Sequence, residues 1–270
     1  MNHPAKHRPA HTGKRHRPLF LAEGRGTDNP YGIAFPGRKI ERERWTRTRV
    51  PLGEKGARFD WAATFGRAAP HVLDLGSGNG RFLIAYAIAR PELDHLGIEI
   101  VPPAIQHATL RAGQRGLTNV KFAWGNASEF ILERCETASV DEVHLYHPQP
   151  YFDADKIDRR QLTPEVLFAI FRALMPGGVF VFQTDNPAYA SYARSVVAAL
   201  FQWRELDGPW PDARQGRTLR EIEALHQGLP IVRACCTRRG LDLEAARRLV
   251  ATLPAPSFDA TIPSHSVRGR

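Results

Sequence analysis

Residues 71–80 read HVLDLGSGNG, and this stretch decides the fold. The run from His71 to Leu75 is short and apolar, with one acid, Asp74, inside it. That is the pattern of a strand buried on both faces. It leads directly into Gly76-Ser77-Gly78-Asn79-Gly80. Glycines there let the chain turn sharply into a helix and let its backbone come close to a ligand. Residues 80–89 then read as that helix, with Phe82, Leu83, Tyr86 and Ala87 on one side and Pro91 as the stop.

Outward from this unit the pattern repeats. Residues 96–100 (LGIEI), 119–125 (NVKFAWG), 140–148 (VDEVHLYHP) and 179–185 (VFVFQTD) read as strands. Residues 104–115, 127–133, 164–174 and 188–201 read as the helices between and after them. Alternating strands and helices predict a doubly wound α/β domain, a parallel sheet covered on both faces. We expect this domain over residues 61–250. Residues 1–60 are expected to be a basic, partly disordered arm, and 251–270 a frayed tail. Within the arm, residues 1–18 are expected to be disordered. Residues 30–45, carrying Tyr31, Phe35 and Trp45, are expected to order against the domain.

The charge is uneven. Residues 1–50 hold 12 Lys and Arg against 4 Asp and Glu, so nearly all of the net +9 lies in the arm. A basic arm on a near-neutral domain suits a polyanion such as RNA. Within it Arg38, Lys39, Arg42, Arg44, Arg47 and Arg49 interleave with Trp45, a mixture suited to phosphate contact and base stacking. An exposed basic helix would read the same way. The three cysteines, Cys135, Cys235 and Cys236, make neither a disulfide framework nor a zinc motif. No apolar run is long enough for a membrane span, and the first residues lack a signal core, so a cytoplasmic protein is expected. No metal is expected.

The glycine loop alone does not name its ligand, because dinucleotide enzymes use similar turns. The third glycine of a dinucleotide fingerprint would fall at Arg81. Asp74 would repel a pyrophosphate and suits a cationic amino group, such as the one on the methionine end of S-adenosylmethionine. Glu99 follows Asp74 by 25 residues, close to the ~20-residue spacing at which an acid meets a ribose diol. Asn126, beside Ala127, either contacts an adenine edge or caps a helix.

The order DLGSGNG, GIE, GLTNVKFAWGNA, a proline motif followed by Arg-Arg, PGG…TDN and TxxE…GLPIVRA resembles the bacterial tRNA (guanine-N7)-methyltransferases over about residues 70–240. The resemblance implies a class I S-adenosylmethionine-dependent methyltransferase, with a mostly parallel seven-stranded sheet whose last strand is antiparallel. It implies tRNA as partner, no obligate protein partner, and a monomer or weak homodimer. It assigns Asp74, Gly76, Gly78, Glu99, Asn126, Ala127 and Gln149 to the cofactor. Asp153, Asp185, Thr218, Glu221, Arg159 and Arg160 fall to the substrate, and Gln149 and Asp185 to catalysis. The chain departs from the family at the proline motif. Where the family has a sequence close to F-P-D-P-W followed by basic residues, this chain has His147-Pro148-Gln149-Pro150-Tyr151, then Asp153, Asp155 and Asp158. Asp74 stands where the family usually has Glu, and Asn126 where it usually has Asp.

Guanine N7 has a free lone pair, so transfer to it needs no base. It needs alignment, exclusion of water and a carboxylate to meet the charge arriving on the ring. Asp185 and Glu221 could supply that carboxylate. Gln149 can hydrogen-bond but brings no charge, a loss of ~2–4 kcal/mol. Three other readings stay open at this point. One is an amino-group methyltransferase, suggested faintly by the split prolines. Another is a small-molecule methyltransferase. The third is a non-catalytic RNA-binding relative.

Overall fold

The computed structural model describes residues 41–261. The expectations for residues 1–40 and 262–270 lie outside the described residues. Seven strands form one sheet: β1 (His71–Leu75), β2 (Asp94–Glu99), β3 (Val120–Trp124), β4 (Val140–Tyr146), β5 (Leu174–Thr184), β6 (Phe201–Glu205) and β7 (Val232–Arg238). Their order is β3-β2-β1-β4-β5-β7-β6. The first five pair in parallel, and β7 runs antiparallel between β5 and β6. The sheet is the mostly parallel, doubly wound one expected.

The helices are α1 (Arg42–Thr46), α2 (Trp61–Phe65), α3 (Arg81–Ala89), α4 (Pro102–Gln114), α5 (Ala127–Glu129), α6 (Pro164–Ala173), α7 (Pro187–Leu200), α8 (Leu219–His226) and α9 (Leu243–Val250). Local chemistry starts most of them. Asp60, Asn126, Thr163, Asn186, Thr218 and Asp242 each accept a backbone N–H of the first turn, and Pro102, Pro164 and Pro187 stand at helix starts. Among the described residues, no helix is long and apolar enough to cross a membrane.

Strand alternation divides the core. Leu73, Leu75, Val143, Leu145, Phe180 and Phe182 face α6 and α7. Val72, Phe122, Tyr146 and Val181 face α3 and α4. From β1 the chain winds one way to β2 and β3, then the other way to β4 and β5. The strand order therefore reverses between β1 and β4, the place beyond the strand ends where sheets of this kind bind their ligands.

Several boundaries differ from expectation. β5 begins at Leu174 and takes in Pro176-Gly177-Gly178, because Leu174 already pairs with Val140. The helix after β3 is one turn of α5 followed by a wider π-turn, Phe130–Arg134. Residues 48–50, expected within the arm, lie along the β3 edge. The Phe122 N–H donates to Thr48 O at 2.8 Å, and the Val50 N–H to Phe122 O at 2.9 Å. Arg134 then ties down the carbonyls of Leu52 and Glu54 at 2.6 and 2.9 Å. An unpaired sheet edge is thereby covered.

The start of the C-terminal tail is packed rather than frayed. Phe258 stacks edge-on to Tyr189 at 5.1 Å, and Ala260 is buried. Asn186 donates to Ala260 O at 2.8 Å, and Tyr192 to Pro254 O at 3.0 Å. Trp203 and Trp210 pack in different places. Trp203 lies against Phe182, while Trp210 is buried beneath the Arg217 guanidinium at 3.9 Å.

Candidate active site

The β1–α3 turn is shaped by its backbone. Gly76 and Gly78 have φ of 94° and 53°, which L side chains rarely adopt. A Cβ on either would meet nothing within 4 Å, so open space lies over the turn. Asp74 stands just before it, 2% exposed. Its Oδ1 has no hydrogen-bond partner, and neither has Ser77 Oγ. Burial, and then the Glu99 charge, push the Asp74 carboxyl up to about 8. A buried carboxylate with an unmet oxygen beside a hollow suits a cationic group. The amino group of S-adenosylmethionine is such a group, so these residues fit that cofactor.

Glu99 ends β2 across the same hollow. Its Oε2 accepts the Gly78 N–H at 2.8 Å, and Oε1 accepts those of Ile100 and Val101, both at 2.9 Å. Held this way, the carboxylate keeps one lone-pair site, on Oε2, for a hydroxyl donor and locks the glycine turn to β2. Asn126 Oδ1 accepts from Ser128 and Glu129 at 2.9 and 3.2 Å. The helix-cap reading of Asn126 is therefore the one its geometry supports, with Ala127 as the first residue of α5.

The second half of the site is built by the ends of β4 and β5. Asp185 follows β5 and is 6% exposed. Its Oδ1 lies 2.9 Å from His147 Nδ1, and its Oδ2 accepts from Arg220 on α8. Burial alone would raise its pKa. The hydrogen bond from His147, with its charge when the ring is protonated, and then the hydrogen bond and charge of Arg220 outweigh it and hold the carboxyl below its usual range. Asp185 is thus ionised at any pH of interest. In the loop after β4, His147 and Tyr151 take φ of 48° and 37°. Such strain is held only where surrounding contacts enforce it, often at functional loops. Gln149 is exposed in this loop.

The other residues expected at the substrate make contacts within the protein. Thr218 caps α8 by accepting the Glu221 N–H at 3.0 Å. Glu221 is fully buried and pairs with Arg233 at 2.7 Å, while its second oxygen accepts the Arg217 N–H. A Thr-x-x-Glu spacing before a helix is itself a capping signature, so the signal stood in the sequence. The residue of this segment that reaches the site is Arg220. Arg160 is 2% exposed and donates to the carbonyls of Pro150, Tyr151, Pro256 and Phe258 at 2.5, 2.8, 2.7 and 2.8 Å. It joins the proline loop to the C-terminal tail instead of facing solvent. Arg160→Leu is expected to cost ~3 kcal/mol of stability and to speed proteolytic cleavage within residues 253–261. Unchanged cleavage would show the tail is held otherwise. Arg159 and Asp153 are exposed, and Asp153 pairs with Lys156 at 2.5 Å.

The sheet order, the reversed β7 and the acid-and-glycine turn at the end of β1 define a class I methyltransferase. A family model described as "Putative methyltransferase" matches residues 68–231. The tRNA (guanine-N(7)-)-methyltransferase of Alkalilimnicola ehrlichii is 32% identical, over 81% of this chain and 91% of its own. That of Halorhodospira halophila is 34% identical, over 61% and 71%. That of Nitrosococcus oceani is 32% identical, over 68% and 77%. The chain belongs to the tRNA (guanine-N7)-methyltransferase family. Among solved structures, the 16S rRNA methyltransferase KamB shares the fold, with a TM-score of 0.50 and 17% identity over 67% of this chain and 94% of that one.

Proposed function

We propose that this protein transfers a methyl group from S-adenosylmethionine to N7 of a guanine in the tRNA variable loop, in the cytoplasm. The observation that carries this reading is the pair of buried acids at the carboxyl ends of β1 and β5, on either side of the point where the strand order reverses. One oxygen of Asp74, Oδ1, lacks a partner beside the glycine turn. Asp185 is kept ionised at the end of β5.

When bound, the cofactor supplies the sulfonium methyl group and its positive charge. Asp74 would hold its amino group, the backbone at Gly76 and Gly78 would approach it closely, and Glu99 would hold its ribose. Asp185 would accept hydrogen bonds from the guanine N1–H and amino group and would meet the positive charge that methylation puts on the ring. Arg220 keeps that carboxylate in place. No proton has to be removed before transfer, so the absence of a carboxylate at Gln149 weakens the electrostatics without removing a chemical step.

Labelled S-adenosylmethionine should methylate unmodified bulk tRNA and yield 7-methylguanosine. Label in another nucleoside would mean a changed target on this scaffold. No transfer with cofactor binding intact would favour a non-catalytic relative. Asp185→Ala should lower kcat ~10²–10³-fold and leave cofactor affinity within about twofold. Loss of cofactor binding in that variant would refute its assignment to the base.

A further inference from the structure

Asp185 sits at the end of a hydrogen-bond chain with a fixed direction. Trp210 is 1% exposed and its indole N–H, which can only donate, points at Gln183 Oε1. Gln183 is fully buried. With its oxygen taken, its amide NH₂ faces His147 Nε2 at 2.7 Å. An NH₂ group can only donate, so Nε2 has to be the bare, accepting nitrogen. The ring proton then sits on Nδ1, 2.9 Å from Asp185 Oδ1. The His147 side chain is 6% exposed, and its backbone N–H donates to Gln183 O at 2.7 Å. The ring is therefore pinned to β5 from both ends.

The geometry points to His147 as the positioning residue for Asp185: a neutral Nδ1–H imidazole, polarised by Trp210 through Gln183, that aims the carboxylate without neutralising it. This rests on the reading of Asp185 as the carboxylate that meets the guanine. A neutral donor suits the chemistry. Doubly protonated, His147 would join Arg220 in cancelling the charge that the methylated guanine needs. A protonated Nε2 would also lose the Gln183 contact.

Two measurements test this. The first is ¹⁵N NMR of the His147 ring in the full-length protein at neutral pH. The proposal expects a bare Nε2 and a protonated Nδ1, with this polarity lost in Trp210→Phe. An Nε2–H or doubly protonated ring in the wild-type protein would overturn it. The second is steady-state methyl transfer to tRNA. His147→Phe should lower kcat about 10–100-fold, with the Kd for S-adenosylmethionine unchanged as the check of folding. His147→Asn restores a donor near the Nδ1 position and tolerates positive φ, so it should recover at least a third of the activity. Equal kcat in wild type and His147→Phe, or no recovery by asparagine, would refute the positioning role. The NMR measurement does not depend on the substrate. Failure of the wild-type protein to methylate tRNA would overturn the substrate reading, and the ring's protonation would still decide this one.

Discussion

Asp74→Asn is expected to raise the Kd for S-adenosylmethionine ~100-fold and to make the ligand-free protein more stable at alkaline pH. Both effects come from one fact. The Asp74 carboxyl is buried and one of its oxygens has no partner. Burial first, and the neighbouring Glu99 second, push it from 3.8 to about 8. Between pH ~4 and ~8 the folded protein therefore holds a proton that the unfolded chain has released. Stability of the ligand-free protein falls as pH rises through this window and levels off above it. Asparagine fills the same space and never ionises, so this pH dependence disappears in the variant.

The cofactor's amino group would reverse the preference by pairing with the ionised acid. Wild-type affinity should therefore rise from pH 6 to pH 8, with a proton released on binding. Calorimetry in buffers of different ionisation enthalpy measures that proton. Removing a charged hydrogen-bond partner costs ~1.5–3 kcal/mol, or about 10- to 100-fold in Kd. Isosteric asparagine with wild-type affinity would remove Asp74 from the binding site.

Glu221→Ala is expected to unfold much of the protein rather than to weaken tRNA binding. Glu221 and Arg233 are 0% and 6% exposed at the side chain, 2.7 Å apart. Deleting one partner leaves a buried guanidinium uncompensated, which costs ~3–5 kcal/mol. The variant also frees the Arg217 N–H. At ~2–4 °C per kcal/mol for a chain of this size, Tm should fall by ~6–20 °C. The fraction that remains folded should show near wild-type KM for tRNA. Replacing both partners, as in Glu221→Leu with Arg233→Met, should restore most of the stability. A stable Glu221→Ala protein with poor tRNA affinity would instead return the residue to the substrate.

Asp74, Gly76, Gly78 and Glu99 were legible because they stand at the ends of β1 and β2. A parallel sheet brings neighbouring strand ends together, so two short motifs at the right spacing must meet. Asp185 was legible in the same way, at the end of β5. Asn126, Thr218 and Glu221 carry capping chemistry that the sequence displays. His147, Gln183, Trp210 and Arg220 were not legible as a group. They belong to the β4 loop, β5, the segment after β6 and α8. Nothing local says that an indole 27 residues beyond Gln183 will face its amide.

By itself the sequence determined the alternation of strands and helices, the glycine turn, the positions of the two acids at the ends of β1 and β2 and the charge asymmetry of the chain. These follow from periodicity, φ preference and composition, which are properties of neighbouring residues. Tertiary structure alone decided that Arg160 holds the C-terminal tail, that Glu221 neutralises Arg233, and that His147 meets Asp185. Each of these pairings costs desolvation on both sides. It forms only where two distant segments exclude water together, and that place is set by the whole sheet.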